Sequence, residues 1–155
     1  MALTLTTGAF TAGGGIPSKY TCDGADVSPA LAWSGAPPGT AAFALIADDP
    51  DAPAGTWVHW VLFNLPGTLT ALPEGVAKTE APADLGGALQ GRNDFRRIGY
   101  GGPCPPAGKT HRYFFKLYAL DAMLDLPSGA NKQKLLSAMQ DHILAQAELM
   151  GTFKK

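Results

Sequence analysis

Residues 44–66 read ALIADDPDAPAGTWVHWVLFNLP. Two apolar runs rich in strand formers flank a block of Asp, Pro, Ala and Gly, the pattern of two strands joined by a rigid, acid-bearing turn. Asp48, Asp49 and Asp51 crowd against Pro50 and Pro53, and His59 follows between Trp57 and Trp60. An acidic turn alone is an ordinary solvated loop, because Asp and Pro are common turn formers. Its neighbours decide otherwise. Strand alternation gives Asp49 the phase of Phe43, Leu45 and Ala47, so its carboxylate points inward at the strand's end, where a buried charge needs a partner. The same alternation sets His59 on the face of Trp57, Val61 and Phe63, and His111 on the face of Tyr113, Phe115 and Leu117. An Asp beside an imidazole raises its pKa and holds its tautomer, leaving the second ring nitrogen as a donor. Set beside a glycine-rich loop with free backbone N–H groups, that donor makes a pocket for a small anion. The Ala52–Pro53 bond, closing so constrained a turn, is the candidate for a cis peptide.

Working outward, LTLTT near the N-terminus and HRYFFKLYAL at 111–120 read as further strands, separated by Gly- and Pro-rich loops. Helical periodicity is clear once, from Asn131 to Met150, where Leu135, Met139, Ile143 and Ala147 form one stripe and Gly151 serves as the stop. The expected architecture is mostly β: an antiparallel β-sandwich with a C-terminal amphipathic α-helix. Helices do not alternate with the strands, which argues against a layered α/β fold.

The chain has 155 residues, 46% of them hydrophobic and 16% charged, with 19 Gly and 13 Pro and a formal net charge of -1. That length suits one domain over residues 1–155 with a core of its own. Near-neutral charge offers no basic surface for nucleic acid. No stretch is long and apolar enough for a membrane span, and the N-terminus lacks a cationic leader, so a cytoplasmic protein is expected. Cys22 and Cys104 are too few for a Cys-only zinc site and are expected as reduced thiols near the pocket, with a single disulfide the alternative in an oxidising compartment.

Several chemistries are excluded by pattern. PCPPAGKT at 103–110 superficially matches a phosphate-binding loop, but Pro103 stands where its first glycine belongs and three prolines remove N–H donors. No G-x-S-x-G supports a serine hydrolase, and no compact His spacing supports a metal site. His142 reads as a surface residue. No cofactor and no metal are expected.

The segments YTCDGADVSPALAW, ALIADDPDAPAGTWVHWVLFNLP, EGVAKTEAPADLGGALQGRNDFRRIGYGGPCPPAGKTHRYFFKLYALD and DHILAQAELMGTF together resemble the phosphatidylethanolamine-binding protein family, in its bacterial Raf-kinase-inhibitor-like branch. The resemblance implies a β-sandwich with an anion pocket at one end. It assigns to that pocket Asp49 and Asp51, Trp57 and His59, Gly101, Gly102, Pro105 and Pro106, then His111 and Tyr113. It implies a non-enzymatic, regulatory binding module whose ligand is a phosphate monoester, a phosphorylated residue or a phospholipid head group. A kinase or protease partner and a homodimer are compatible with it. The alternatives are a small hydrolase or isomerase using the His/Asp pair, and an inhibitor acting by surface contacts. Kinase inhibition does not transfer to so short a chain.

Overall fold

A computed structural model of the chain describes residues 2–155. Its strands are β1 (Thr4–Thr6), β2 (Leu31–Ser34), β3 (Ala42–Asp49), β4 (Trp57–Pro66), β5 (Ala71–Leu72), β6 (Leu89–Gln90), β7 (Thr110–Leu120) and β8 (Ile143–Lys154), with one α-helix, α1 (Lys132–Met139), before β8. They form an antiparallel three-stranded sheet, β1-β2-β5, and an antiparallel five-stranded sheet, β6-β4-β3-β7-β8.

β3 lies at the centre of the large sheet, and all eight of its residues are buried. Both faces are covered, which is why its sequence is a continuous apolar run rather than an alternation. Phe43, Leu45 and Ala47 face the small sheet and pack with Leu5, Trp33, Leu62 and Leu117. Ala44 and Ile46 face the other way, against Val61, Phe63 and the α1 residues Leu135 and Met139.

The three aspartates leave the end of β3 in three directions. Asp48 turns to the α1 side, where its buried carboxylate meets Lys132 Nζ at 2.8 Å and Lys116 Nζ at 3.3 Å. Asp49 keeps the phase of Phe43, Leu45 and Ala47 and meets His111. Asp51 turns outward to Arg112, accepting from its Nε at 2.9 Å, its Nη2 at 2.8 Å and its backbone N–H at 2.9 Å. Each carboxylate therefore pins the turn to a different partner. Every peptide bond in the turn is trans, correcting the expectation of a cis Ala52–Pro53 bond. Three carboxylate anchors and the 2.7 Å bond from Asp51 N–H to Asp49 Oδ1 fix this turn without one.

The alternation expected in β4 breaks at His59. Trp57 pairs with Asp49 and Val58 with Asp48, but Ala47 pairs with Trp60, leaving His59 without a partner on β3. The extra residue is a β-bulge, a device that re-aims side chains beside sites. It places Val61 and Phe63 on the α1 side of the sheet, not on the face of His59 as strict alternation predicts.

The expected helix over 131–150 is shorter. Asn131 caps α1 by accepting from Lys134 N–H at 2.9 Å, and α1 ends at Met139. Asp141, at φ 69°, turns the chain back into β8, which pairs with β7 from Thr110–Lys154 to Leu120–Ile143. Residues 143–150 satisfy both periods: the helical stripe, and an alternation that puts Ala145, Ala147 and Leu149 against the core. Pairing with the long β7 decides in favour of the strand, because tertiary context overrides helix propensity. Gly151 is then no helix stop. A Cβ there would stand 2.6 Å from Ile16 Cγ1 and 2.7 Å from Phe10 Cε2.

Cys22 and Cys104 form a disulfide, which corrects the expectation of reduced thiols; their loops do meet at the pocket end, as expected. Cys22 N–H donates to Pro103 O at 3.1 Å, holding the two loops side by side with Cα atoms 5.4 Å apart, within bridging distance.

Two outcomes test this account. Gly151→Ala should lower unfolding free energy by about 1–3 kcal/mol, the usual cost of overpacking, measured by urea denaturation. The Arg112 hydrogen bonds hold the Asp51 carboxyl down to about 2, below its ordinary value of 3.8. A depressed folded pKa contributes stability above the unfolded pKa that is lost as pH falls through the folded one. Asp51→Asn should therefore cost about 1–2 kcal/mol at neutral pH, with its stability curve meeting that of the parent between about pH 4 and pH 2.

Candidate functional site

At the end of the large sheet, on its small-sheet face, lies a pocket of about 250 Å³. Asp49 comes to it from β3, Trp57 and His59 from β4, and His111 and Tyr113 from β7. Ala52 and Pro53 of the acidic turn, Pro105 and Pro106 of the Gly/Pro loop, Phe95 and Cys104 complete the wall.

The two histidines are buried and held differently. His111 Nδ1 stands 2.7 Å from Asp49 Oδ2. A carboxylate only accepts, so Nδ1 carries the hydrogen and Nε2 is left for the pocket. His59 Nδ1 stands 2.6 Å from the carbonyl of Gly101, and Gly101 N–H donates back to His59 O at 2.9 Å. That reciprocal pair fixes the second ring in the same tautomer, again with Nε2 unused. Burial holds the His59 pKa below the ordinary imidazole value, against the upward pull of the Gly101 carbonyl and Asp49. Tyr113 packs edge-on to His59, with ring centroids 5.3 Å apart, and burial pushes its phenol well up.

Two polar atoms in this wall are buried and have no hydrogen-bond partner among the described residues: Trp57 Nε1 and Tyr113 Oη. Buried polar groups are ordinarily paired, and exceptions call for a reason. The wall thus combines two unpartnered polar side chains and two imidazoles with an apolar setting, the composition of a small-ligand site. Among the described residues no three His, Cys, Asp or Glu side chains gather around a metal position.

Seven of the ten residues expected at the site line the pocket: Asp49, Trp57, His59, Pro105, Pro106, His111 and Tyr113. Asp51 stands behind it, bound to Arg112. Gly101 and Gly102 line a neighbouring pocket, and their backbone N–H groups are not free: Gly101 N–H meets His59 O, and Gly102 N–H donates to Asp26 Oδ1 at 2.7 Å. The anticipated backbone donors are thus engaged within the protein, and the pocket's polar groups are side chains.

Sequence reasoning missed Phe95. It stacks edge-on against Trp57 at 5.5 Å and His59 at 5.4 Å, ring centroid to ring centroid. Its place is set by Asn93, whose Oδ1 accepts from the N–H groups of Phe95 at 2.9 Å and Arg97 at 3.2 Å. The legible signal was an Asn two residues before an aromatic in a polar loop, a setting in which the Asn side chain organises the turn.

Comparison with known proteins agrees with this architecture. The family described as "Phosphatidylethanolamine-binding protein" matches residues 6–154. A UPF0098 protein of Methanothermobacter thermautotrophicus is 50% identical over 153 residues, covering 99% of each chain. One of Aquifex aeolicus is 48% identical over 149 residues, covering 95% of this chain and 85% of its own. Among solved structures, a putative phosphatidylethanolamine-binding protein homolog of Chlamydia trachomatis superposes with a TM-score of 0.89 at 43% identity, covering 99% of this chain and 98% of its own. YBCL of E. coli, described as a member of the mammalian family, superposes with a TM-score of 0.90 at 34% identity, covering 100% and 99%. With a family match over residues 6–154 and relatives about half identical to it over nearly its whole length, this chain belongs to the phosphatidylethanolamine-binding protein family.

Proposed function

We propose that the protein is a non-enzymatic binding module that captures a small anionic group, of the phosphate or carboxylate kind, in the pocket between His59 and His111. The observation that carries this reading is the pair of buried, unpartnered polar atoms, Trp57 Nε1 and Tyr113 Oη, in a wall that also presents two imidazole Nε2 atoms. An anion accepting from these groups would satisfy them together. Phosphate monoesters, phosphorylated side chains and phospholipid head groups share that chemistry. Binding is favoured over turnover because the only thiol-bearing residue type in the wall is Cys104, which is disulfide-bonded, and no Ser or Thr lines it.

The histidines set the sign of the pH dependence. Each ring's Nδ1 already carries a hydrogen, so Nε2 donates to an anion only when the ring is protonated. A bound anion raises the pKa of His59 above its depressed free value, and binding takes up a proton. By linkage the gain in affinity is present below the free pKa and lost as pH rises through the pKa of the complex. Sulfate does not titrate in this range and isolates the protein's contribution. Calorimetric titration with sulfate should show affinity rising about tenfold as pH falls from 8 to 5.5, with proton uptake, and His59→Gln should flatten the profile. His111→Gln should weaken binding about tenfold to hundredfold, the worth of one charge-assisted hydrogen bond. A parent profile without pH dependence would refute the reading.

The compartment belongs to the same proposal. Among the described residues no helix is long and apolar enough to cross a membrane. A cytoplasmic home requires either reduced thiols or a cytoplasm of the hyperthermophile kind that tolerates disulfides. The working form proposed is the bridged one, with Cys22 and Cys104 closing the pocket end. Cells acid-quenched and alkylated before lysis should yield neither cysteine labelled; label on both would assign the protein to a reducing compartment.

A further inference from the structure

Phe95 and Cys104 line the anion pocket, and both also line a second, larger pocket of about 580 Å³. Its other walls include Asp26, Lys78, Arg97 and the Cys22 half of the disulfide. Three features of this second pocket point to a ligand.

The first is the rigidity of the shared wall. Asn93 is buried and bound on all sides: its Oδ1 holds the N–H groups of Phe95 and Arg97, its Nδ2 donates to Gly99 O at 2.9 Å, and its own N–H donates to Arg97 O at 2.9 Å. The loop so fixed carries a phenyl ring that is 38% exposed. An exposed Phe in itself means little. This one is braced by Trp57 and His59, and lies where a Cβ on Gly101 would come within 2.6 Å of its Cδ2. A flat apolar surface is thus held at the junction of two pockets.

The second is charge. Lys78 and Arg97 face one carboxylate, Asp26, which already accepts from Gly102 N–H at 2.7 Å and meets Lys78 only at 3.7 Å. Arg97 has no carboxylate within 4.0 Å among the described residues. Arg97, an exposed residue of the pocket's lining, is therefore without a counter-charge among the described residues, and its guanidinium is the group best shaped for a carboxylate or phosphate. The third is the link between the pockets: the Gly101 carbonyl that orients His59 belongs to the wall of the larger one.

We infer that the two pockets are the inner and outer chambers of one bipartite site, the inner holding an anionic group and the outer its organic substituent, which carries a flat apolar part and a second acidic group. The inner half rests on the proposed function; the outer half is new and decides ligand class. Phe95 supplies the surface for the flat part, and Arg97 the partner of the second acid. A substituent ending in an amine, as in an ethanolamine or choline head group, would face Arg97 and Lys78 with only Asp26 to offset them, and is disfavoured.

Calorimetry at pH 6 with four probes tests this: inorganic phosphate, phenyl phosphate, 4-carboxyphenyl phosphate and 4-(aminomethyl)phenyl phosphate. Phosphate reports on the inner chamber alone. The carboxylated ester should bind about tenfold tighter than phenyl phosphate, and the aminomethyl ester no tighter than phenyl phosphate. Arg97→Gln should reduce the carboxylate's advantage to less than threefold. Arg96→Gln removes the same charge from the same loop without lining either pocket, and should leave the advantage intact. Phosphate binding with equal affinities for the carboxylated and unsubstituted esters, a preference for the amine, or an advantage that survives Arg97→Gln would each overturn the outer chamber while sparing the inner one. Failure of every probe, phosphate included, would sink the anion reading and the bipartite site together.

Discussion

The carboxylate of Asp49 is the constraint around which this end of the protein is organised. It sits at the tip of the most buried strand, on the core side of the sheet, where an unpaired charge would cost several kcal/mol. Both oxygens are therefore engaged: Oδ2 by His111 and Oδ1 by the N–H of Asp51. The first contact ties β3 to a ring on β7 and sets its tautomer. The second folds the acidic turn over the strand end and aims Asp51 at Arg112, the residue following His111. One buried charge thereby determines a turn, a ring orientation and a strand-to-loop anchor.

The division of labour among the pocket's groups follows. Trp57 and Tyr113 are neutral at every ordinary pH, and each keeps one buried polar atom without a partner among the described residues. The imidazoles are wired to different supports, one to a carboxylate and one to a backbone carbonyl. Burial lowers the His59 pKa, and the Gly101 carbonyl and the Asp49 charge offset only part of that cost. Proline supplies much of the remaining wall, rigid and without N–H groups of its own.

Much of this was legible in the sequence because it depends on local pattern. The continuous apolar run of β3, the phase of Asp49 within it and the alternation of His111 with Tyr113 all followed from a period of two. What escaped notice depends on partners distant in the chain. The bulge at His59 is a mismatch between two strands and is invisible in either alone. Residues 143–150 carry two periods at once, and only the presence of β7 alongside selects the strand. Gly151 reads as a helix stop until Ile16 and Phe10 are seen against it. The fate of the Gly101 and Gly102 N–H groups likewise depends on His59 and Asp26, 42 and 76 residues away. Composition cannot report such pairings.

The same remoteness has a kinetic consequence. The contacts that make the pocket join residues 62 apart at Asp49 and His111, 42 apart at His59 and Gly101, and 82 apart at the disulfide. Non-local contacts bear the entropy of closing long loops before they are rewarded, so they form late and slowly. No hairpin or fragment of this chain contains the pocket in miniature. The pocket comes into being only when nearly the whole sheet has closed, so its presence marks a completed fold.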